Sequence, residues 1–223
     1  MKKIQIAIDG PSGAGKSTMA KIVSKELGIL YLDTGAMYRA VALKAIKSGI
    51  GTKDSAALAK MVEDIDIRID YKDGQQKVYL DGEDVTEDIR TPDVTVGSSD
   101  VAVFPEVRKK MVDLQREIAK TNSVVMDGRD IGTHVLPNAE VKIFLTASAE
   151  DRAKRRYEEL KEKGTLKQTF DEIKQEMEYR DKNDSNRIVS PLKKADDAIL
   201  LDTSGLSIEE SAKKILDIVR TRI

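Results

Sequence analysis

Gly10-Pro11-Ser12-Gly13-Ala14-Gly15-Lys16-Ser17 is the stretch from which the rest of the chain can be read. It follows an apolar run, Ile4-Gln5-Ile6-Ala7-Ile8-Asp9, with the character of a buried strand, and it opens a helical run over residues 18–27. In that setting G-x-x-x-x-G-K-[ST] marks a phosphate-binding loop. Its glycines permit positive φ, so successive N–H groups turn inward toward phosphate oxygens. The following helix adds the positive end of its dipole and its unpaired N–H groups. Lys16 places a point charge on the β- and γ-phosphates, and the Ser17 hydroxyl suits Mg²⁺. Residues 10–18, through Thr18, are therefore assigned to the nucleotide. The bland alternative is a glycine-rich turn with an accidental Lys-Ser, and the flanking strand and helix argue against it.

Outward from the loop, a helix spans 16–27, with Gly28 as its left-handed C-terminal residue and Met19, Val23 and Leu27 facing a sheet. Residues 29–33 read as a second strand, and Asp33-Thr34-Gly35-Ala36-Met37-Tyr38-Arg39 leads into a helix that Ser48-Gly49-Ile50-Gly51 breaks. Thr52 or Asp54 caps another helix over 54–64. Residues 65–71 and 77–85 then alternate apolar and polar, with turn signals at Asp73-Gly74 and Asp81-Gly82. That is the pattern of an inserted antiparallel sheet. Residues 97–104 read as a return to the main body, and Pro105 opens a helix with Val107, Met111, Leu114 and Ile118 on one face.

Further strands read at 123–127, 141–145 and 198–202. Ser148 caps a helix over 148–164, Thr169 and Glu172 have capping-box form for a helix to about 184, and Ser207 with Glu210 caps the last one. Five apolar runs separated by helices predict an α/β fold: a five-stranded parallel sheet with helices on both faces and a small antiparallel insert. Ligands in such sheets bind beyond the carboxyl ends of the strands. The loop after Asp9, the turn after Asp33 and Gly128-Arg129-Asp130 after Asp127 are all expected at that edge.

The chain's 223 residues suffice for one core with a smaller lobe. A net charge of -1 provides no overall field for nucleic acid or an anionic membrane, so anion sites have to come from locally placed arginines. Cysteine is absent, which removes disulfides and thiolate metal sites and fits a reducing compartment. Met1-Lys2-Lys3-Ile4 begins neither a signal peptide nor a membrane span, so a cytoplasmic protein is expected. His134 is the sole histidine, which argues against imidazole metal sites.

Arginines gather where anions would sit. Arg39 lies one helical turn past Thr34, and Arg129 directly follows a strand. Arg152, Arg155 and Arg156 share a helical face by spacing, as do Arg180, Asp184 and Arg187. Taken alone, both helical sets also read as solvated faces with internal ion pairs to Glu158, Glu159 or Asp184. Beside a phosphate loop they read as charge for two phosphorylated substrates, since arginine forks take phosphates bidentately. Asp127 is the candidate carboxylate behind Mg²⁺, although Asp9 and Asp33 also end strands. Asp130 reads either as a local partner of Arg129 or as an acceptor for an exocyclic amino group such as cytosine N4.

These stretches, with Arg180-Asp181-Lys182-Asn183-Asp184-Ser185-Asn186-Arg187 and Ser190-Pro191-Leu192, resemble the bacterial cytidylate kinases, members of the nucleoside monophosphate kinases, over nearly the whole chain. The resemblance implies a single P-loop kinase unit over 1–223 with a monophosphate-binding lobe at 34–104 and lid helices at 150–184. It implies that Ser99, Arg108 and Asp130 contact cytosine, and that Arg39 and Arg129 hold the CMP phosphate with Thr34 nearby. Arg180 and Asp184 would meet the sugar, Arg187 would lie near the phosphates, and Arg152 and Arg156 would close on ATP. Where the family often has Ser, this chain has Thr34, which keeps the hydroxyl.

The expected activity is Mg²⁺-dependent phosphoryl transfer from ATP to CMP, and to dCMP, by a cytoplasmic monomer without nucleic-acid or membrane partners. Lys16, Arg129, Arg152 and Arg156 are the expected catalytic cations, and Ser17 and Asp127 the metal-binding residues. A kinase for UMP or a metabolite hydroxyl on the same core stays open, as does a nucleotide-dependent switch without transfer activity.

Overall fold

The computed structural model of the chain describes residues 3–72 and 75–223. They form two compact units. The first takes the chain up to Tyr31, Asn122–Asn186 and Ser190–Ile223; the second takes Leu32–Thr121 and Arg187–Val189. Among the described residues no helix is long and apolar enough to cross a membrane.

A five-stranded sheet carries β1 (Gln5–Asp9), β2 (Leu30–Asp33), β6 (Val124–Gly128), β7 (Val141–Thr146) and β8 (Ile199–Asp202) in the order β2-β6-β1-β7-β8. β1 is parallel to both β6 and β7, and β7 to β8. The runs are continuously apolar because every residue of β6, and all but the first of β1, is buried. The helices α1 (Lys16–Leu27) and α8 (Ile208–Arg220) lay Met19, Ala20, Val23, Ala212, Ile215 and Val219 against Ile6, Ile8, Val141, Ile143 and Leu145. Gly28 ends α1 at φ 64°, and Ser207 with Glu210 closes a full capping box on α8. The helices α6 (Ala149–Glu162) and α7 (Phe170–Asn186) have a small core of their own: Ala153, Ile173 and Met177, with Tyr157, Leu160, Leu166 and Phe170 packed around them. Ser148 caps α6, and the Thr169–Glu172 box opens α7, as their spacing predicts.

In the second unit, Asp33 caps α2 (Thr34–Lys47) and Asp54 caps α3 (Ser55–Glu63). A three-stranded antiparallel sheet follows, made of β3 (Ile67–Lys72), β4 (Gln75–Leu80) and β5 (Glu83–Asp84). Its second turn is Asp81-Gly82, both at positive φ, the conformation a tight hairpin demands. The turn signal Asp73-Gly74 lies outside the described residues.

Two expectations are corrected here. Residues 97–104 do not return to the main body: Pro92–Val101 is a helix, α4, of the second unit. β-Branched Val94, Thr95 and Val101 hide its helical period, while Pro92 at its first turn is the signal that marks it. Gly97 is there for space. A Cβ on it would lie 3.0 Å from Thr52 Cγ2 and 3.3 Å from the Ala42 Cβ of α2. The helix α5 (Pro105–Thr121) also turns differently from its expected face. Val107, Arg108, Met111, Val112, Gln115 and Ala119 are buried, whereas Leu114 and Ile118 are only half-buried. The second compact unit includes α5.

The α2–α4 packing is testable. Gly97→Val should destabilise the protein by about 1–3 kcal/mol in urea unfolding, from overpacking against Thr52 and Ala42. Adding Thr52→Ser, which removes the offending methyl and keeps the hydroxyl, should restore part of that loss.

Candidate active site

In the first unit, the loop between β1 and α1 runs under the end of β7. A Cβ on Gly10, at φ 152°, would sit 1.9 Å from the Leu145 carbonyl oxygen. Lys16 opens α1 and curls back, donating from Nζ to the Pro11 carbonyl at 2.7 Å. Burial and the nearby Arg129 charge push its pKa down to about 7, against the pull of Asp127 and Asp181.

Ser17 Oγ donates to Asp127 Oδ2 at 2.8 Å, and the Tyr31 hydroxyl donates to Oδ1 at 2.9 Å. Strand register makes this contact: Asp127 of β6 pairs with Ile8 of β1, which sets it beside the loop. A hydroxyl and a carboxylate are hard oxygen donors suited to Mg²⁺. Among the described residues no three His, Cys, Asp or Glu side chains form a metal-holding group. That donor set fits an ion carried mainly by phosphate and water.

Asp9 ends β1 buried, and its carboxylate takes two backbone donors, the N–H of Ile131 at 2.8 Å and of Gly132 at 2.7 Å. It pins the single π-helical turn Ile131–Val135 that follows Arg129 and Asp130. Burial pushes its pKa up to about 7, the Asp130 charge adding and the two N–H groups opposing. A Cβ on Gly132 would meet the Lys142 stem at 3.2 Å and Asp9 Oδ2 at 3.4 Å.

Arg129 donates from Nε to Asp184 Oδ2 at 2.7 Å and from a terminal nitrogen to the Gly128 carbonyl at 3.2 Å. Burial disfavours its charge, yet Asp184, with Asp181 and Asp127, outweighs that and holds the pKa above the ordinary arginine value. The arginines of α6 share a face by spacing, but their guanidinium groups reach different partners. Arg152 is buried, donating to the carbonyls of Ser12 and Ala147. Arg155 reaches Thr203, and Arg156 pairs with Glu159 at 3.0 Å. Arg180 of α7 donates to Ser12 Oγ at 3.1 Å, and Asp184 serves Arg129. Arg187 is not on that helical face at all, because α7 stops at Asn186; it is buried and belongs to the second unit.

In the second unit, Asp33 Oδ1 accepts from the Ala36 N–H at 2.9 Å and Oδ2 from Arg39 at 2.7 Å. Burial works against that charge, but Arg39, the Ala36 N–H and Arg90 hold the Asp33 pKa below the ordinary carboxylate value. Gln76 of β4 grips the Asp33 backbone, accepting from its N–H at 2.8 Å and donating to its carbonyl at 3.3 Å. Thr34 and Ser99 are buried, as is Arg108, which donates to the Ala102 carbonyl and lies 5.7 Å from the Tyr38 ring centroid. Asp9, Tyr31, Gln76 and Asp181 are the residues that sequence reasoning left without these roles. Only Asp9, as a strand-ending acid, carried a signal of its own.

The sequence profile of the family described as Cytidylate kinase matches residues 6–221. A cytidylate kinase of Caldicellulosiruptor bescii is 55% identical, with 98% of this chain and 96% of that one covered. Cytidylate kinases of Bacillus licheniformis and Lactobacillus johnsonii are 53% and 51% identical, each covering 98% of this chain and 96% and 95% of their own length. Among solved structures, an uncharacterized protein from Eubacterium ventriosum superposes with a TM-score of 0.54 at 15% identity, over 99% of this chain and all of that one, a likeness of fold alone.

Asp9→Asn puts an NH₂ group against a backbone N–H and strands one buried donor, so urea unfolding near pH 8 should show a loss of about 1–3 kcal/mol. The pH dependence has a sign. The folded pKa of about 7 lies above the ordinary value of 3.8. The wild-type carboxyl thus contributes fully below the unfolded value and loses that contribution as pH rises through the folded one. The gap between wild type and Asp9→Asn should therefore narrow from about pH 5 to about pH 8, and a constant gap would mean that Asp9 stays ionised throughout.

Proposed function

The chain belongs to the cytidylate kinase family, and we propose that it transfers the γ-phosphoryl group of ATP to CMP, and also to dCMP, giving ADP and the diphosphate. The observation that carries the reading is the 2.8 Å contact of Ser17 with Asp127 beside the buried Lys16, inside a glycine loop that opens a helix. Residues 10–18 form the cradle of the ATP phosphates, into which N–H groups of the loop and of the first turn of α1 point. Ser17 and Asp127 would hold Mg²⁺, which supplies charge to the phosphates when bound.

The accepting oxygen belongs to a phosphate whose second ionisation lies near pH 6, roughly, so it needs no strong base. Catalysis then rests on position and charge. Lys16 follows the moving phosphoryl group. Arg129 and Arg39 hold the acceptor phosphate beside Thr34, with Arg187 near the phosphates. Ser99, Arg108 and Asp130 take the base, and Arg180 and Asp184 the sugar. The 34–104 segment is the acceptor lobe. Helices α6 and α7 (150–184) form the lid: their separate small core supports movement as one body, and Arg152 and Arg156 bring its charge to ATP. We assign the activity to a monomer, and the cysteine-free composition supports a cytoplasmic place for it.

An ADP-release assay over CMP, dCMP, UMP and AMP, with and without Mg²⁺, tests the reading. CMP and dCMP should drive turnover. ADP release independent of acceptor would indicate a switch, and preference for another acceptor would overturn the assignment. Lys16→Ala should lower kcat by about 100-fold or more, since it removes the charge that follows the reaction.

The base contact has its own test. Asp130 accepts from cytosine N4 and repels the O4 of uracil. Asp130→Ala should cut kcat/KM for CMP more than for UMP and narrow their ratio by about tenfold, as expected for one specific polar contact. An unchanged ratio in a variant with wild-type Tm would remove Asp130 from base recognition.

A further inference from the structure

Ser12 is the most heavily restrained residue of the loop. Its N–H donates to Asp181 Oδ1 at 2.8 Å, its carbonyl accepts from Arg152 at 2.7 Å, and its hydroxyl accepts from Arg180 at 3.1 Å. All three partners stand on α6 and α7. Asp181 also ties two of these restraints together, because its Oδ2 accepts from the same Arg152 nitrogen at 2.6 Å. The next residue, Gly13, has φ 70°, and a Cβ there would lie 2.4 Å from Met177 Cε and 3.1 Å from the Arg152 carbonyl. The first turn of the loop is thus seated in a fitted socket made by the two helices.

We propose that Asp181 is a positioning residue for the phosphate donor: through the Ser12 N–H and Arg152 it fixes the entrance of the phosphate loop in the shape that receives ATP. The inference rests on the donor-site reading above. Asp181 is suited to this as a carboxylate. One oxygen serves a neutral N–H and the other a guanidinium, and both bonds are charge-assisted. Without it Ser12 loses its N–H partner, Arg152 loses its counter-charge, and the loop keeps only the carbonyl and hydroxyl restraints. Asp181 is also, with Asp127, one of the carboxylates favouring the protonated form of Lys16. Loop shape and loop charge therefore depend on the same side chain. No bond in the reaction is made or broken at Asp181, so its removal should act on donor affinity before it acts on chemistry.

The test is direct binding of ATP, and separately of CMP, to Asp181→Ala, Asp181→Asn and Asp181→Glu by calorimetry, alongside steady-state kinetics and Tm. Asp181→Ala should weaken ATP binding and raise KM for ATP by about tenfold or more, with CMP affinity changed by less than about twofold. Asp181→Asn should fall between, since its amide oxygen still accepts from Ser12 but does not pair the charge of Arg152. Asp181→Glu, which keeps the charge, should recover part of the ATP affinity. Unchanged ATP affinity in Asp181→Ala overturns the proposal. So do equal losses for ATP and CMP that track a fall in Tm, which would mark a merely structural side chain. ATP binding needs no acceptor, so a wrong acceptor assignment leaves this test intact; a wild-type protein that binds no ATP would sink both readings.

Discussion

The loop after β1 passes so close to the end of β7 that one hydrogen in place of a methyl group decides its course. A Cβ on Gly10 would overlap the Leu145 carbonyl oxygen, 1.9 Å away. Because the chain can turn there, β1 runs straight into a loop whose last residues start α1. Because β1 lies between β6 and β7, the same turn brings the loop beside Asp127. The sheet order and the loop are in this sense one feature. Parallel strands present their carboxyl ends on one edge, and the central strand delivers the anion site to that edge. Asp9 extends the link sideways: by holding the N–H groups of Ile131 and Gly132 it fixes the turn after Arg129 and Asp130 to the same strand end.

What could be read along the chain was whatever is encoded within a few residues. Gly28, Asp54, Ser148, the Thr169–Glu172 box and the Ser207–Glu210 box end or begin helices through contacts no more than four positions apart, and all stand where their spacing puts them. The apolar runs of β1, β6 and β7 were legible because strands buried on both faces need no polar alternation. α4 was not, since its β-branched residues and Gly97 disguise a helix whose stability comes from packing on α2. The buried face of α5 was misjudged for a related reason. Its seam passes through Arg108 and Gln115, each 1% exposed, and no hydrophobic pattern marks a polar residue as interior.

The candidate site divides the same way. Lys16, Ser17 and Asp127 were identifiable because a motif or a strand end names them. Gln76 holds Asp33 across 43 positions, Ile131 and Gly132 bind Asp9 across 122 and 123, and Asp181 reaches Ser12 across 169. Contacts of that range leave no periodicity and no local signature. They are the groups that aim the site rather than the ones that react in it. A motif records the atoms a ligand must touch, whereas the means of holding those atoms still can come from anywhere in the fold.

The buried charges show how a site for polyanions can exist in a chain of net charge -1. An isolated buried cation is costly, so each is given a carboxylate where geometry allows. Arg129 has Asp184 at 2.7 Å, Arg152 has Asp181 at 2.6 Å and Arg39 has Asp33 at 2.7 Å. Lys16 is held differently, by the neutral carbonyl of Pro11. The consequence appears in the opposite shifts of two cations in one unit. Arg129 is held more firmly charged than an ordinary arginine, whereas burial draws Lys16 down to about 7. A carbonyl solvates an ammonium without neutralising it, and Asp127 and Asp181 act on Lys16 only through their field. A phosphate oxygen arriving at Lys16 therefore displaces a neutral acceptor, while at Arg129 or Arg152 it has to compete with a carboxylate already in place. On the proposed reading, the side chain that follows the moving phosphoryl group is thus one that the resting protein pairs with a neutral carbonyl rather than with a carboxylate.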